Sequence, residues 1–355
     1  MCRSRSMRGF LAGRVALDPV VCATLLSVEQ EGAVSRSPQC RRIRLVAISA
    51  CALLTSFCTS TTERSERPAA CEFASARSLG PIINSAKEEG SPTVSADETE
   101  LFFTSGRNGQ EDLFVSTRPG KESPWGDPAN LGDSVNDSFG DDFSLRLATN
   151  GLALYFSSNR AGGFGAGDLY VTTRAARDQA WGRATNLGPV LNTAAFEAFP
   201  TPTADGNTLF FNRSTTFDSD DSDIWMTSRS DTLAPWAAPL RLVMPVNEPR
   251  AEFSPSISSD GLSLYFASDR DGNLGSIDIW VAMRKSAADA WGLPRNLGPN
   301  INAAGGITLA PFITSNNRAL YFMSARPDTS SASPCTPKTC FERLDLYVAA
   351  ATCRQ

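Results

Sequence analysis

The chain has 355 residues, of which 41% are hydrophobic and 20% are charged, and it contains no histidine. This length allows two average domains or one large all-β domain, and the missing histidine removes the commonest general base and the commonest metal ligand. The first 70 residues are net basic and the rest is strongly acidic, so the body would repel a phosphate backbone, which excludes nucleic acid as a partner.

Residues 41–58, "RRIRLVAISACALLTSFC", predict a signal peptide within a leader that spans residues 1–60. The apolar part from Leu45 to Phe57 is too short to cross a bilayer but suits a signal-peptide core, and a buried helix or strand is the alternative. The polar stretch 61–70 resembles a linker. Membrane attachment through a lipidated cysteine stays open: Cys51 ends a lipobox-like "ISAC", and Cys58 has the longer apolar core but follows the large Phe57.

One pattern recurs along the rest of the chain. It reads "SPTVSADETELFFTSGR" from Ser91, "SLRLATNGLALYFSSNR" from Ser144 and "SPSISSDGLSLYFASDR" from Ser254, with divergent copies from Phe199 and Ala310. After each copy an aspartate opens an apolar run: Asp112, Asp168, Asp223, Asp278 and Asp345. A period of roughly 55 residues with four short apolar runs predicts the blades of a β-propeller.

Each repeat supplies four predicted strands. In the fourth repeat, strand A lies around "SPSIS", B at "LYFAS", C at "DIWVA" and D from the tryptophan through "NLG". The Asp-Gly or Asn-Gly between A and B is a tight hairpin turn. The chain enters on a D strand (73–79) and leaves on a C strand (345–350). We therefore predict an all-β fold over residues 71–353, a single five-bladed propeller of four-stranded antiparallel blades, in which an N-terminal strand completes the last blade and removes a free edge.

The repeated pattern P-x-x-S-x-D-G-x-x-L-Y-F-x-S-x-R…D-I-W-V is similar to the PD40 (WD40-like) repeat of TolB-like propellers, over roughly residues 73–350. The resemblance implies an exported bacterial protein, periplasmic, outer-membrane-associated or extracellular, that binds a protein or glycan ligand of the cell envelope without catalysing a reaction. We expect a monomer. The alternative is a five-bladed glycoside hydrolase.

Four carboxylates occupy equivalent positions just before strand A, and Thr308 stands there in the fifth repeat; they are Glu89, Asp142, Glu197 and Glu252. We expect them to ring one mouth of the channel, as a cation or sugar site or as the acid pair of a glycosidase. The other interpretation is structural: the D–A and B–C loops share a face, so each acid could pair with the arginine that ends strand B. The aspartate that opens strand C could share that arginine.

The B–C loop "FDSDDSD" (217–223) breaks the symmetry of the repeats. Its Asp218, Asp220 and Asp221 could offer hard oxygen ligands to calcium, or the loop could simply be solvated. No other cofactor is expected.

Two disulfides are predicted, because export places the chain in an oxidising compartment. Cys335 and Cys340 would close a small ring within the long loop 327–340. Cys71 and Cys353 fall where the intact blades have facing residues at the base of the C–D turn, so a bond between them would staple the ring shut.

Overall fold

The computed structural model describes residues 71–217, 219–326 and 344–352. The predicted leader and linker, Asp218, Cys335, Cys340 and Cys353 lie outside these residues. The described residues form strands and no helix. Accordingly, they contain no helix that is long and apolar enough to span a membrane.

The strands form five sheets. Strands β1 (Glu72–Phe73) and β2 (Arg77–Ser78) come first. Blade 1 contains β3 (Glu89–Val94), β4 (Glu100–Ser105), β5 (Asp112–Thr117) and β6 (Ala129–Asn130). Blade 2 contains β7 (Asp142–Leu147), β8 (Ala153–Ser158), β9 (Asp168–Thr173) and β10 (Thr185–Asn186). Blade 3 contains β11 (Phe196–Pro202), β12 (Thr208–Ser214), β13 (Asp223–Ser228) and β14 (Leu240–Arg241). Blade 4 contains β15 (Glu252–Ile257), β16 (Ser263–Ser268), β17 (Asp278–Met283) and β18 (Arg295–Asn296), and blade 5 contains β19 (Ile307–Ile313), β20 (Ala319–Ala325) and β21 (Asp345–Thr352).

Every sheet is antiparallel, and the five A strands contact one another in a closed ring. The predicted five-bladed propeller is confirmed. Its B strands are buried on both sides, because consecutive side chains of a strand point to opposite faces and both faces of a blade pack on a neighbouring blade. Leu101, Phe102 and Phe103 of β4, for example, are all fully buried.

The D strands are shorter than predicted. Only two residues of each pair with strand C, as in Phe114↔Asn130 and Val115↔Ala129. The tryptophan before each D strand packs between blades instead of extending the sheet. Trp181 of blade 2 meets Phe102 of blade 1 edge to face, with ring centroids 5.9 Å apart. The Arg174 guanidinium covers the same indole at 4.4 Å.

The last blade is completed by the N-terminal strands, as predicted. Phe73 pairs with Ala351, and Arg77 with Val348, so β1 and β2 both extend along β21. Strand β2 occupies the D position, because its pairing with β21 matches that of β6 with β5. The free edge of the fifth sheet is thereby covered.

Each A strand contains a one-residue bulge, which the sequence analysis missed. A non-glycine residue with φ near +50° marks it in every blade: Ser91, Ser144, Phe199, Ser254 and Ala310. The pairing register shifts at each of these points. Side chains along a strand alternate between its two faces. The extra residue shifts this alternation by one, so positions an even number apart, which would otherwise share a face, lie on opposite faces when the bulge separates them.

Candidate functional site

The four predicted channel-mouth carboxylates lie at the start of the A strands, on the face formed by the D–A and B–C loops. All four are almost fully buried, with at most 1% of each residue exposed. Their position follows from the hairpin register, which sets each acid directly opposite the serine or arginine near the end of strand B, as in Glu197↔Arg213 and Glu252↔Ser268.

Each carboxylate is bound by the arginine of its own blade. The distances from arginine nitrogen to carboxylate oxygen are 3.2 Å for Arg107–Glu89, 2.5 Å for Arg160–Asp142, 2.7 Å for Arg213–Glu197 and 2.9 Å for Arg270–Glu252. The D–A loop supplies a further donor to the second oxygen. In blade 3 the Thr193 amide donates to Glu197 Oε2 at 3.0 Å and its hydroxyl donates to Oε1 at 2.6 Å.

These contacts tie three segments of a blade together. In blade 3, Arg213 donates to Glu197 on strand A and also to the Leu191 carbonyl of the D–A loop at 2.9 Å. Its guanidinium stacks over Trp225 of strand C at 4.6 Å. The carboxylates thus link the segments of their own blades, which is the structural alternative for these residues, and a binding role for them stays a prediction.

Burial is the main influence on the pKa of two of these acids, Glu252 and Asp142. It raises the pKa of Glu252 to about 7 and raises that of Asp142, although the arginine hydrogen bonds oppose the shift. The charged state of these two acids therefore depends on their arginines, as expected for a buried ion pair.

The fifth blade has Thr308 where the other blades have the carboxylate. Thr308 Oγ1 and Ser324 Oγ are 3.1 Å apart, and Arg326 keeps the loop contact, donating to the Ile301 carbonyl at 2.8 Å. Arg326 forms no ion pair with any described residue, and burial lowers its pKa. Its guanidinium stacks over Tyr347 at 4.6 Å.

The aspartates that open the C strands do not share the blade arginines in the described hairpins. The C–D register brings them to the D strand instead, where the Asn130 amide donates to Asp112 at 2.8 Å and Arg241 binds Asp223 at 2.5 Å. Asn186 and Asn296 bind Asp168 and Asp278 in the same way.

The predicted calcium loop is only partly described. Asp221 accepts the Thr215 amide at 2.9 Å and the hydroxyls of Thr215 and Ser219, and the Ser219 bond in particular lowers its pKa. Asp220 is exposed. In the part of the chain that the structure describes, no three acidic or sulfur side chains are grouped to hold a metal ion. Because Asp218 lies outside it, calcium binding stays a prediction.

Phenylalanines run from the interior to the surface on the D–A/B–C face. The rings of Phe143 and Phe196 stack with centroids 5.6 Å apart, and Phe217 meets Phe196 edge to face at 5.5 Å. Gly167 allows this, since a Cβ there would lie 2.6 Å from the Phe196 ring. Phe217 is 64% exposed, and Phe139 of the blade 2 D–A loop is 98% exposed. The sequence carries no signal for this row, since phenylalanine is also the commonest core residue of the B strands.

The opposite, A–B end of the channel holds a cavity of about 40 Å³ between the ends of all five A strands. Arg146 of β7 lines it, together with Thr201, Ser256 and Phe312. No carboxylate is among the described residues that line it. The candidate residues predicted from the sequence lie at the other end of the channel. Arg146 was not predicted, since its signal is a charge at one of five equivalent positions.

No family model matches the chain, and no curated protein matches it significantly. Its fold is similar to that of solved structures. An α-L-arabinofuranosidase of Podospora anserina is 12% identical, with 80% of this chain and 98% of that one covered and a TM-score of 0.52. The catalytic domain of the Coprinopsis cinerea GH62 α-L-arabinofuranosidase is 12% identical, over 81% and 98%, also with a TM-score of 0.52. TolB of Agrobacterium tumefaciens is 13% identical, over 79% and 99%, with a TM-score of 0.45. At 12% identity, the two arabinofuranosidases show a shared fold alone.

Proposed function

We propose that this protein is an exported, non-enzymatic propeller that binds a protein or glycan of the cell envelope through its D–A/B–C face. The observation that carries the proposal is the row of phenylalanines that ends in the exposed Phe217, with Phe139 exposed on the same face. Aromatic side chains dominate binding hot spots, because they bury a large rigid area at a small entropy cost.

The ion pairs support a binding role over hydrolysis. A glycosidase needs two carboxyl groups that reach the scissile bond. The four predicted candidates are buried and held by arginine, and no carboxylate lines the channel cavity among its described residues. These contacts favour a binding role over the glycosidase alternative, which would use the same carboxylates.

The test replaces exposed apolar side chains by alanine on each of the two faces of the propeller. Phe139→Ala and Phe217→Ala remove aromatic rings from the proposed binding face. Leu233→Ala is the control, since Leu233 is 95% exposed but lies in a C–D connection on the other face. Binding is measured by co-sedimentation with purified envelope fractions and on a glycan array.

We expect each phenylalanine variant to weaken binding about tenfold, the effect of losing a hot-spot contact, and Leu233→Ala to bind as the wild type does. Unchanged binding in both phenylalanine variants would refute the proposal. Hydrolysis of aryl arabinofuranosides by the wild type, lost in Glu197→Gln, would support the glycosidase instead.

A further inference from the structure

The inner strand of blade 2 carries a buried arginine where the other blades carry neutral side chains. Arg146 pairs with Tyr155 across the hairpin in the same register as Thr93 with Phe102. By this register the equivalent residues are Thr93, Thr201, Ser256 and Phe312. Each lies after the bulge of its strand, near the A–B end of the channel. Arg146 is thus the symmetry-breaking charge of this ring.

Arg146 is buried, with only 5% of the residue exposed. Its guanidinium nevertheless has few hydrogen-bond partners. Its Nη2 donates to the Pro311 carbonyl at 2.9 Å, and the group lies 5.0 Å from the Phe312 ring centroid. Nε and Nη1 have no hydrogen-bond partner, and no described carboxylate forms an ion pair with Arg146. Three of the five N–H donors of an arginine are on those two atoms.

A buried charge without a counter-charge is unfavourable, and burial alone lowers the pKa of Arg146 to about 9. The four blade arginines on the other face show the usual solution, since each is paired with a carboxylate. Arg146 has no such residue in its own blade or in the neighbouring inner strands. An anion from solution would supply what the chain does not.

The channel cavity gives such an anion a place to bind. Arg146 lines it, and its volume of about 40 Å³ exceeds the 10–15 Å³ or so that one water requires. The cavity therefore has room for a group larger than one water, such as a carboxylate. Ser256 also lines the cavity; its Oγ accepts the Ile313 amide at 3.4 Å and donates to no described acceptor, so its proton is available.

We propose that the A–B end of the channel binds a small carboxylate, free or at the end of a longer molecule, with Arg146 as the counter-charge and Ser256 as a further donor. The planar guanidinium matches the carboxylate in shape and charge. This site lies at the opposite end of the channel from the phenylalanine row, so the two proposals can fail separately.

The test is thermal unfolding of the purified chain in sodium formate, acetate or chloride at equal ionic strength and pH 7. The variants are Arg146→Met and, as control, Arg326→Met, which removes a partly buried arginine outside the cavity. We expect formate and acetate to raise the Tm of the wild type and of Arg326→Met saturably above chloride, by about 1–3 °C at ten times the Kd. Arg146→Met should lose this difference.

A purely structural role for Arg146 predicts something else. Arg146→Met would then lower Tm equally in all three salts, and the wild type would not distinguish them. Equal Tm values of the wild type in the three salts, or a carboxylate response that persists in Arg146→Met, would overturn the proposal. Should Arg146→Met not fold, the line width of ¹³C-formate with the wild-type protein decides: broadening that chloride does not reverse supports the site, and no broadening overturns it.

Discussion

Phe73 of β1 meets Tyr265 of β16 edge to face, with ring centroids 6.3 Å apart and planes at 77°. The first described strand therefore contacts blade 4 as well as blade 5, which it completes. This is the place that tryptophan takes in the intact blades, as Trp181 does against Phe102. Ring closure thus uses the same interblade packing as the rest of the propeller.

Phe73→Ala should lower the free energy of unfolding by about 3 kcal/mol, because Phe73 is 8% exposed and its removal leaves a cavity between two blades. Urea denaturation followed by tryptophan fluorescence measures the change. Leu293→Ala is the control, since Leu293 is 86% exposed and its loss should change stability by less than about 0.5 kcal/mol. Equal effects of the two would contradict the closure described above.

The fifth blade provides an internal control for the buried ion pairs. Arg213→Met leaves Glu197 buried without its partner and should cost about 3–5 kcal/mol. Arg326→Met removes the same loop contact and the same stacking but strands no carboxylate, so its cost should be clearly smaller. Chemical denaturation of both variants checks this. Similar losses would show that packing, and not charge pairing, dominates at these positions.

An ion pair links the A–B turn of blade 1 to the C–D turn of blade 2. It joins Arg177 Nη1 to Asp97 Oδ2 at 2.6 Å. The Arg177 hydrogen bond holds the pKa of Asp97 well below its ordinary value of 3.8. Because the folded pKa is depressed, the stabilisation is present above the unfolded pKa and is lost as the pH falls below it. The pair is half exposed, so we expect at most about 1 kcal/mol.

The difference in unfolding free energy between the wild type and Asp97→Asn should accordingly be constant from pH 5 to 7 and shrink below about pH 4. It should also fall in high salt, which screens exposed charges. A difference that grows on acidification would mean that the sign is wrong.

We propose that Cys71 and Cys353 form a disulfide. The pairs Phe73↔Ala351 and Glu72↔Thr352 place the first described strand beside the last one, and in the sequence Cys71 directly precedes Glu72 and Cys353 directly follows Thr352. The structure also records Cys71 as disulfide-bonded. The bond would close a loop of nearly the whole propeller and contribute roughly 4–5 kcal/mol in the chain-entropy model.

Peptide mapping without reduction should find the Cys71–Cys353 linkage, and Cys71→Ser should lower the stability accordingly. Cys335→Ser should not affect that linkage, since Cys335 and Cys340 are expected to pair with each other. Alkylation of Cys71 in the native, unreduced protein would count against the bond.

Calcium binding to the 217–223 loop remains to be tested. If Asp218, Asp220 and Asp221 ligate calcium, a chelator should lower Tm, and calcium but not magnesium should restore it. Asp220→Asn should weaken the response. A Tm that does not change with chelator would leave Asp221 as a residue that only holds its own loop together through Thr215 and Ser219.

The repeated sequence pattern predicted the number of blades and the start of each C strand, because turn residues and apolar runs within a hairpin are close together in the sequence. All five C strands begin at the predicted aspartates, and the closure of blade 5 followed from counting elements. The D strands came out shorter, since the repeated tryptophan is kept for interblade packing and not for pairing. Arg146 was not predicted, because it departs from the repeat at a single position. The bulge at Phe199 was not predicted, because it is a feature of backbone conformation that the residue type does not indicate.

The contact between the first and the last described strands has a consequence for biogenesis. The Asn84 side chain donates to the Leu346 carbonyl, 262 positions later, and β1 and β2 find their partner strand only in β21. Blade 5 therefore cannot assemble until β21 has left the ribosome. Blades 1 to 4 can form during synthesis, but β1 and β2 must wait unpaired, and such long-range pairing is slow. Closure of the ring is thus the last step of assembly, and any delay in the synthesis of β21 prolongs the time that β1 and β2 spend unpaired.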